Sequence, residues 1–204
     1  MMRTDQSVRD LTEKHRYARA TGDELDASRY KKMMTSFGVA ARFEGGRRQQ
    51  HIVELTGLSL VDIDHIPAER MSEVLALVRG DEHTLLAYTT LSGQGVRVLF
   101  RYEMKTHPNP PCEGGNFGIA EPIPLPCREG WGGSLYKQAF LHGNAYYEAL
   151  TGLATDGQCK NIGRISTIAY DEHLYYNPEA TPFIVKLEEK KPVGRPKRVE
   201  SGKM

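Results

Sequence analysis

Cysteine is scarce in this chain, and the three present, Cys112, Cys127 and Cys159, are an odd number. A secreted disulfide framework uses a denser and usually even set, so free thiols are the expectation. No run approaches the roughly 20 apolar residues that span a bilayer. The opening MMRTDQSVRDLTEKHRY lacks the apolar core of a signal peptide, so a cytoplasmic protein without a membrane partner is expected. Excess charge is missing too, since 27 Lys and Arg face 26 Asp and Glu and leave a net of +1. That balance removes the usual starting point for a nucleic-acid binder, a strongly basic domain, and leaves the role to a local patch. What is present, 204 residues with 39% hydrophobic and 26% charged, suffices for a soluble globular domain with its own core.

The first 34 residues read as a helical segment broken at Thr21-Gly22, with Asp23 able to cap the second helix. The main domain is expected over 35–188. It opens with a strand over Gly38–Phe43, followed by Gly45-Gly46 and the basic polar run Arg47-Arg48-Gln49-Gln50-His51. A hydrophobic strand carrying two acids runs from Leu58 to Asp64, and Pro67 suits the first turn of a helix that ends near Gly80. Thr84–Thr90 and Val96–Tyr102 flank the turn Ser92-Gly93-Gln94-Gly95, a hairpin signal. A Pro- and Gly-rich excursion occupies 107–133, a helix is predicted over Ser134–Leu153, and a strand over Ile165–Tyr170. Residues 189–204 form a charged, basic tail expected to be flexible.

Asp62 and Asp64 are the most informative pair, because alternate residues on a strand share a face. Val61 and Ile63 then point to the other face, as core. Two carboxylates on one spot of an apolar strand repel each other unless a cation compensates. All-oxygen ligation favours magnesium or manganese over zinc, and two such ions would serve phosphoryl transfer. The plainer reading places both acids in water at a strand end.

The runs Thr56–His65 and Thr89–Val98, the helix end Leu153-Ala154-Thr155-Asp156, and Gly163–Asp171 with Tyr176-Asn177-Pro178 resemble the virulence-protein-E amino-terminal domain, a branch of the archaeo-eukaryotic primase, or primase-polymerase, superfamily. The resemblance covers about residues 28–185. It implies an α+β fold, a mixed or antiparallel, RRM-like palm sheet flanked by helices. It also implies a DNA primase or polymerase nucleotidyltransferase of a replication or mobile-element system, acting on nucleoside triphosphates and single-stranded or primed DNA, with a helicase-like downstream partner. Carried over by position, Asp62, Asp64 and Asp156 are the catalytic acids and ligands of two Mg2+ or Mn2+ ions. Ser92, Gly93, Gln94, Gly95, Arg97 and Arg164 are the nucleotide-binding set. The superfamily's histidine after the turn is absent, and Arg97 stands there. Arginine keeps a phosphate-binding charge but cannot shuttle a proton at neutral pH. Arg164 has an equal alternative, a structural bridge to Asp156 or Asp171.

Two other functional classes compete. One is a catalytically inactive DNA- or nucleotide-binding accessory module, suggested by the missing histidine; the other is a two-metal nuclease, which needs the same acids. Arg42, Arg47 and Arg48 form a local basic patch that could track DNA phosphates, though such runs are more often solvated surface. The tail Lys191–Arg198 is similar to an AT-hook, with Val193 in place of the arginine before its glycine. His107, Cys112 and Cys127, with His142 or Cys159, could be gathered for zinc, but Cys112 and Cys127 lack the close-paired spacing.

Overall fold

A computed structural model of the chain describes residues 2–104 and 131–185. The elements are α1 (Gln6–Ala20), α2 (Glu24–Met33), β1 (Ser36–Gly38), β2 (Ala41–Phe43), β3 (Ile52–Leu55), β4 (Leu58–Ile63), α3 (Met71–Gly80), β5 (Thr84–Thr89), β6 (Val96–Met104), α4 (Trp131–Thr151), β7 (Ile165–Thr167), β8 (Tyr175–Tyr176) and β9 (Phe183–Val185). The fold class is α+β, as expected. Cys112, Cys127, His107, the basic tail and most of the predicted 107–133 excursion lie outside the described residues.

The central sheet runs β4-β6-β5-β8 in antiparallel pairs, and β9 adds to the far end of β6 in parallel. Two small ribbons, β1 with β7 and β2 with β3, lie beside it. The pleat sends alternate side chains to opposite faces. Val61, Ile63, Val96, Val98 and Phe100 join α3 and α4 in the main core, whereas Leu60, Leu99 and Tyr88 belong to a second cluster with Val39 and Phe37. Both faces of the sheet are therefore covered. On α3, Val74 and Val78 are one turn apart and fully buried, which contributes about 1.5–3 kcal/mol each by removing apolar area from water. Gly143 on α4 has no side chain, and a Cβ there would collide with the Phe100 ring, so glycine sets how closely this helix meets β6.

Helices α1 and α2 start at acids that satisfy otherwise unpaired amides. Asp5 accepts from the Ser7 and Val8 amides at 2.9 and 3.3 Å, and Asp23 from Asp26 at 3.0 Å. The predicted single strand over Gly38–Phe43 is instead two, broken at Val39 and Ala40. Both of these consecutive residues are buried, which strict alternation forbids, and the chain changes partner there from β7 to β3. Pro67 precedes a short 3-10 turn, Ala68–Arg70, before α3 begins. The helix expected from Ser134 starts earlier, at Trp131, and the strand expected to reach Tyr170 ends at Thr167. Among the described residues no helix is long and apolar enough to cross a membrane.

Candidate metal centre

Strand β4 carries Asp62 on the face opposite Val61 and Ile63, which are fully buried. Asp64 follows the last residue of the strand and is exposed. His65 comes next with φ of 55°, a left-handed conformation uncommon outside glycine, so the chain bends sharply straight after the second acid. The Ile66 amide then donates to the Gln94 carbonyl at 2.9 Å and ties this bend to the β5–β6 turn.

Asp156, beyond the end of α4, reaches the same place. Its backbone amide donates to the Asp62 carbonyl at 2.8 Å. One carboxylate oxygen each from Asp62, Asp64 and Asp156 lie within 4.8 Å of one another. Among the described residues no other group of three His, Cys, Asp or Glu converges in this way.

Asp62 is 2% exposed and uses its oxygens unequally. Oδ2 accepts from Arg97, its cross-strand partner on β6. Oδ1 is buried with no hydrogen-bond partner. A buried acceptor without a donor costs about 1–3 kcal/mol, and a group of three carboxylates has the oxygen donors that suit a hard divalent cation. Burial, and then the neighbouring Asp62, raise the Asp64 carboxyl above its ordinary range, as expected of acids crowded together, and Arg97 offsets this only in part.

Arg97 lies on β6, the second strand of the hairpin, as the sequence predicts. It donates to Asp62 and, at 2.9 Å, to the Ser166 hydroxyl, which meets the Tyr88 hydroxyl at 2.6 Å. Burial opposes its charge, but Asp62 and then Tyr88 more than offset this and hold the guanidinium protonated. Arg164 donates to Asp156 at 3.2 Å, the bridging alternative read from the sequence, while staying partly exposed.

The turn Ser92–Gly95 reaches the acids through Gly95. A Cβ there would sit 2.6 Å from the Ile63 carbonyl and 3.1 Å from Asp64 Oδ1. Much of the turn's polarity is used internally: the Gly93 amide donates to Thr90 at 2.9 Å, and Ser92 Oγ meets the Gln94 amide at 3.3 Å and Thr90 Oγ1 at 3.1 Å. Arg16 of α1 donates to the Thr90 and Leu91 carbonyls, each at 3.2 Å, and braces the turn from outside. Neither Arg16 nor the Ser166–Tyr88 pair was singled out in the sequence, where nothing marks them.

The predicted basic patch is not uniform. Arg42 bonds Glu44 at 2.6 Å and Glu54 at 3.2 Å on its own ribbon, whereas Arg47 and Arg48 are exposed at the ribbon's tip. Arg47 lies beside an open groove of about 470 Å³ whose other walls include Phe43, Thr56 and Ile165.

The family model for the BT4734-like, N-terminal domain matches residues 29–176, and the chain belongs to that family. This corrects the resemblance to the virulence-protein-E amino-terminal domain and the primase superfamily, because a different family is the one that matches. Most of the blocks that carried the resemblance fall within the matched span. An acid pair on a strand and a small-residue turn are patterns too general to separate one family from another. Comparison with curated proteins and with solved structures finds no match.

Proposed function

We propose that the chain is a divalent-metal-dependent nucleotidyltransferase of the DNA primase or polymerase type, joining a nucleoside triphosphate to single-stranded or primed DNA. The observation that carries this reading is the convergence of Asp62, Asp64 and Asp156 within 4.8 Å, with Asp62 Oδ1 buried and unpartnered. Those three residues would hold Mg2+ or Mn2+. Bound there, the metal would supply charge neutralisation at the phosphates and activation of the attacking oxygen. Asp62 is fixed by Arg97, and Asp156 by its amide bond to the Asp62 carbonyl, so two of the acids are set before substrate arrives. Arg164, partly exposed beside Asp156, has further donors for a phosphate oxygen. Arg47 and Arg48 are exposed cations that would suit a DNA backbone.

A second reading draws on the Arg97–Asp62 pair, which already compensates one acid without a metal. On that reading the chain binds DNA or nucleotide without chemistry.

Labelled nucleotides, primed template and Mn2+ separate the readings. Incorporation is expected, and the Asp62→Asn/Asp64→Asn double variant should lower it by about 10³-fold or more. Equal activity in the two proteins defeats the assignment. Binding without incorporation supports the accessory module, and degradation of labelled template a two-metal nuclease.

A further inference from the structure

We infer, on the metal-binding reading above, that Arg97 stands in for a second cation, so that the chain without nucleotide holds a single divalent ion and Asp62 ligates it through Oδ1 alone. A carboxylate that bridges two ions offers one oxygen to each. In Asp62 the second oxygen is occupied by Arg97. Arg97 is not a surface side chain that can swing aside. Its side chain is 15% exposed, and Ser166 and Tyr88, both fully buried, hold it from the far side.

Charge leads to the same count. Three carboxylates face two guanidinium groups, Arg97 and Arg164, each in contact with one of the acids. One divalent ion more than balances what remains. A second, with no further anion present, would be repelled by the first and by both arginines. It would need the negative charge of a triphosphate to enter.

Ser166 and Tyr88 are thereby positioning residues. They touch no ligand, and they act by holding Arg97 against Oδ2, which leaves Oδ1 for metal.

Mn2+ titrated into the whole chain without nucleotide, with the free ion counted by electron paramagnetic resonance, tests this without any activity readout. Wild type should take up about one ion per chain. Arg97→Gln removes the competing charge and frees Oδ2, so it should bind at least about tenfold tighter, or bind a second ion. Ser166→Ala should move in the same direction by less, and it decides the outcome should Arg97→Gln not fold. Two ions in wild type overturn the inference while leaving the metal centre intact. An unchanged affinity and count in the foldable variants overturns the role of Arg97. No bound ion in wild type defeats both the inference and the metal centre.

Discussion

Two of the three buried aspartates among the described residues, Asp81 and Asp62, have opposite outcomes. Asp81, just after α3, has every side-chain oxygen engaged by neutral donors: Oδ1 takes the His83 amide at 3.0 Å and the Tyr147 hydroxyl at 3.3 Å, and Oδ2 the Tyr146 hydroxyl. Asp62 has one oxygen on a cation, the other on nothing, and two more acids alongside. Burial alone therefore does not mark function. Asp81 is 9% exposed and Asp62 2%, yet the first is a closed structural node and the second keeps an open valence. Natural interiors rarely leave a polar atom unpaired, and the exceptions ask for an explanation that a satisfied carboxylate does not.

The largest effect that would sharpen this contrast is on stability. Asp81→Ala takes the acceptor from the Tyr146 hydroxyl and the His83 amide and leaves the Tyr147 hydroxyl only Thr84, and should cost about 2–4 kcal/mol in denaturant unfolding. The same variant should leave the Mn2+ affinity of the chain unchanged. A loss of metal binding in Asp81→Ala would break the division between the two acids. Tyr146 offers an internal check, because its hydrogen bond to Asp81, followed by burial, pushes its hydroxyl up to about 12. In Asp81→Ala its titration, followed by ultraviolet absorbance, should move down toward the ordinary 10, with burial and Glu82 still holding it above.

A smaller effect should fall on the other side. Gly95→Ala forces a Cβ against the Ile63 carbonyl and the Asp64 carboxylate, so one of them must shift. Displacing a supporting contact at a metal site weakens binding by about 10–100-fold, and the lower end is expected here because Asp64 is exposed and can move. Isothermal titration with Mn2+ reads it. Unchanged affinity would mean that Asp64 is not a ligand. The Asp81 cluster should be indifferent, with the Tyr146 titration as in wild type.

Much of this arrangement was legible from order along the chain. The period of two on β4 put Asp62 opposite Val61 and Ile63, while the predicted strand overran by one residue, since Asp64 lies just past its end; the β5–β6 hairpin followed from its turn residues. The α1–α2 break at Thr21-Gly22 followed from the glycine and its capping Asp23. What was not legible depends on contacts distant in sequence. Ser166 meets Arg97 and Tyr88 across 69 and 78 positions, and Arg16 reaches Thr90 across 74. A serine in a short strand and an arginine on an amphipathic helix carry no local sign of such partners. Arg97 is legible as a strand residue just after the turn, because Val96–Tyr102 reads as the second strand of the hairpin. Its register opposite Asp62 emerges only from the pairing of β4 with β6.

His15 tests whether an orphaned buried atom is enough. It lies 6% exposed on α1, and its Nδ1 has no hydrogen-bond partner, as for Asp62 Oδ1. Its surroundings differ, because Lys31, Arg19 and Arg16 face it, while a hydrogen bond to the Leu91 backbone favours its charge. Burial first, and then these cations, lower its pKa below the ordinary 6.5. The unfolded chain thus protonates before the folded one. Stability from His15 should be complete above about pH 7.5 and fall as pH drops through 6.5 toward the lowered folded value. His15→Leu should remove that part of the slope, so the wild-type-minus-variant difference in urea midpoint should shrink on acidification. If the difference is flat between about pH 7.5 and 5.5, the neutral imidazole is not a folding requirement. Metal binding should be alike in both proteins, since a lone orphan ringed by cations has nothing to offer a divalent ion. On the proposed reading an orphan oxygen among carboxylates would attract one, so the neighbouring charges, not the missing hydrogen bond, would make the site.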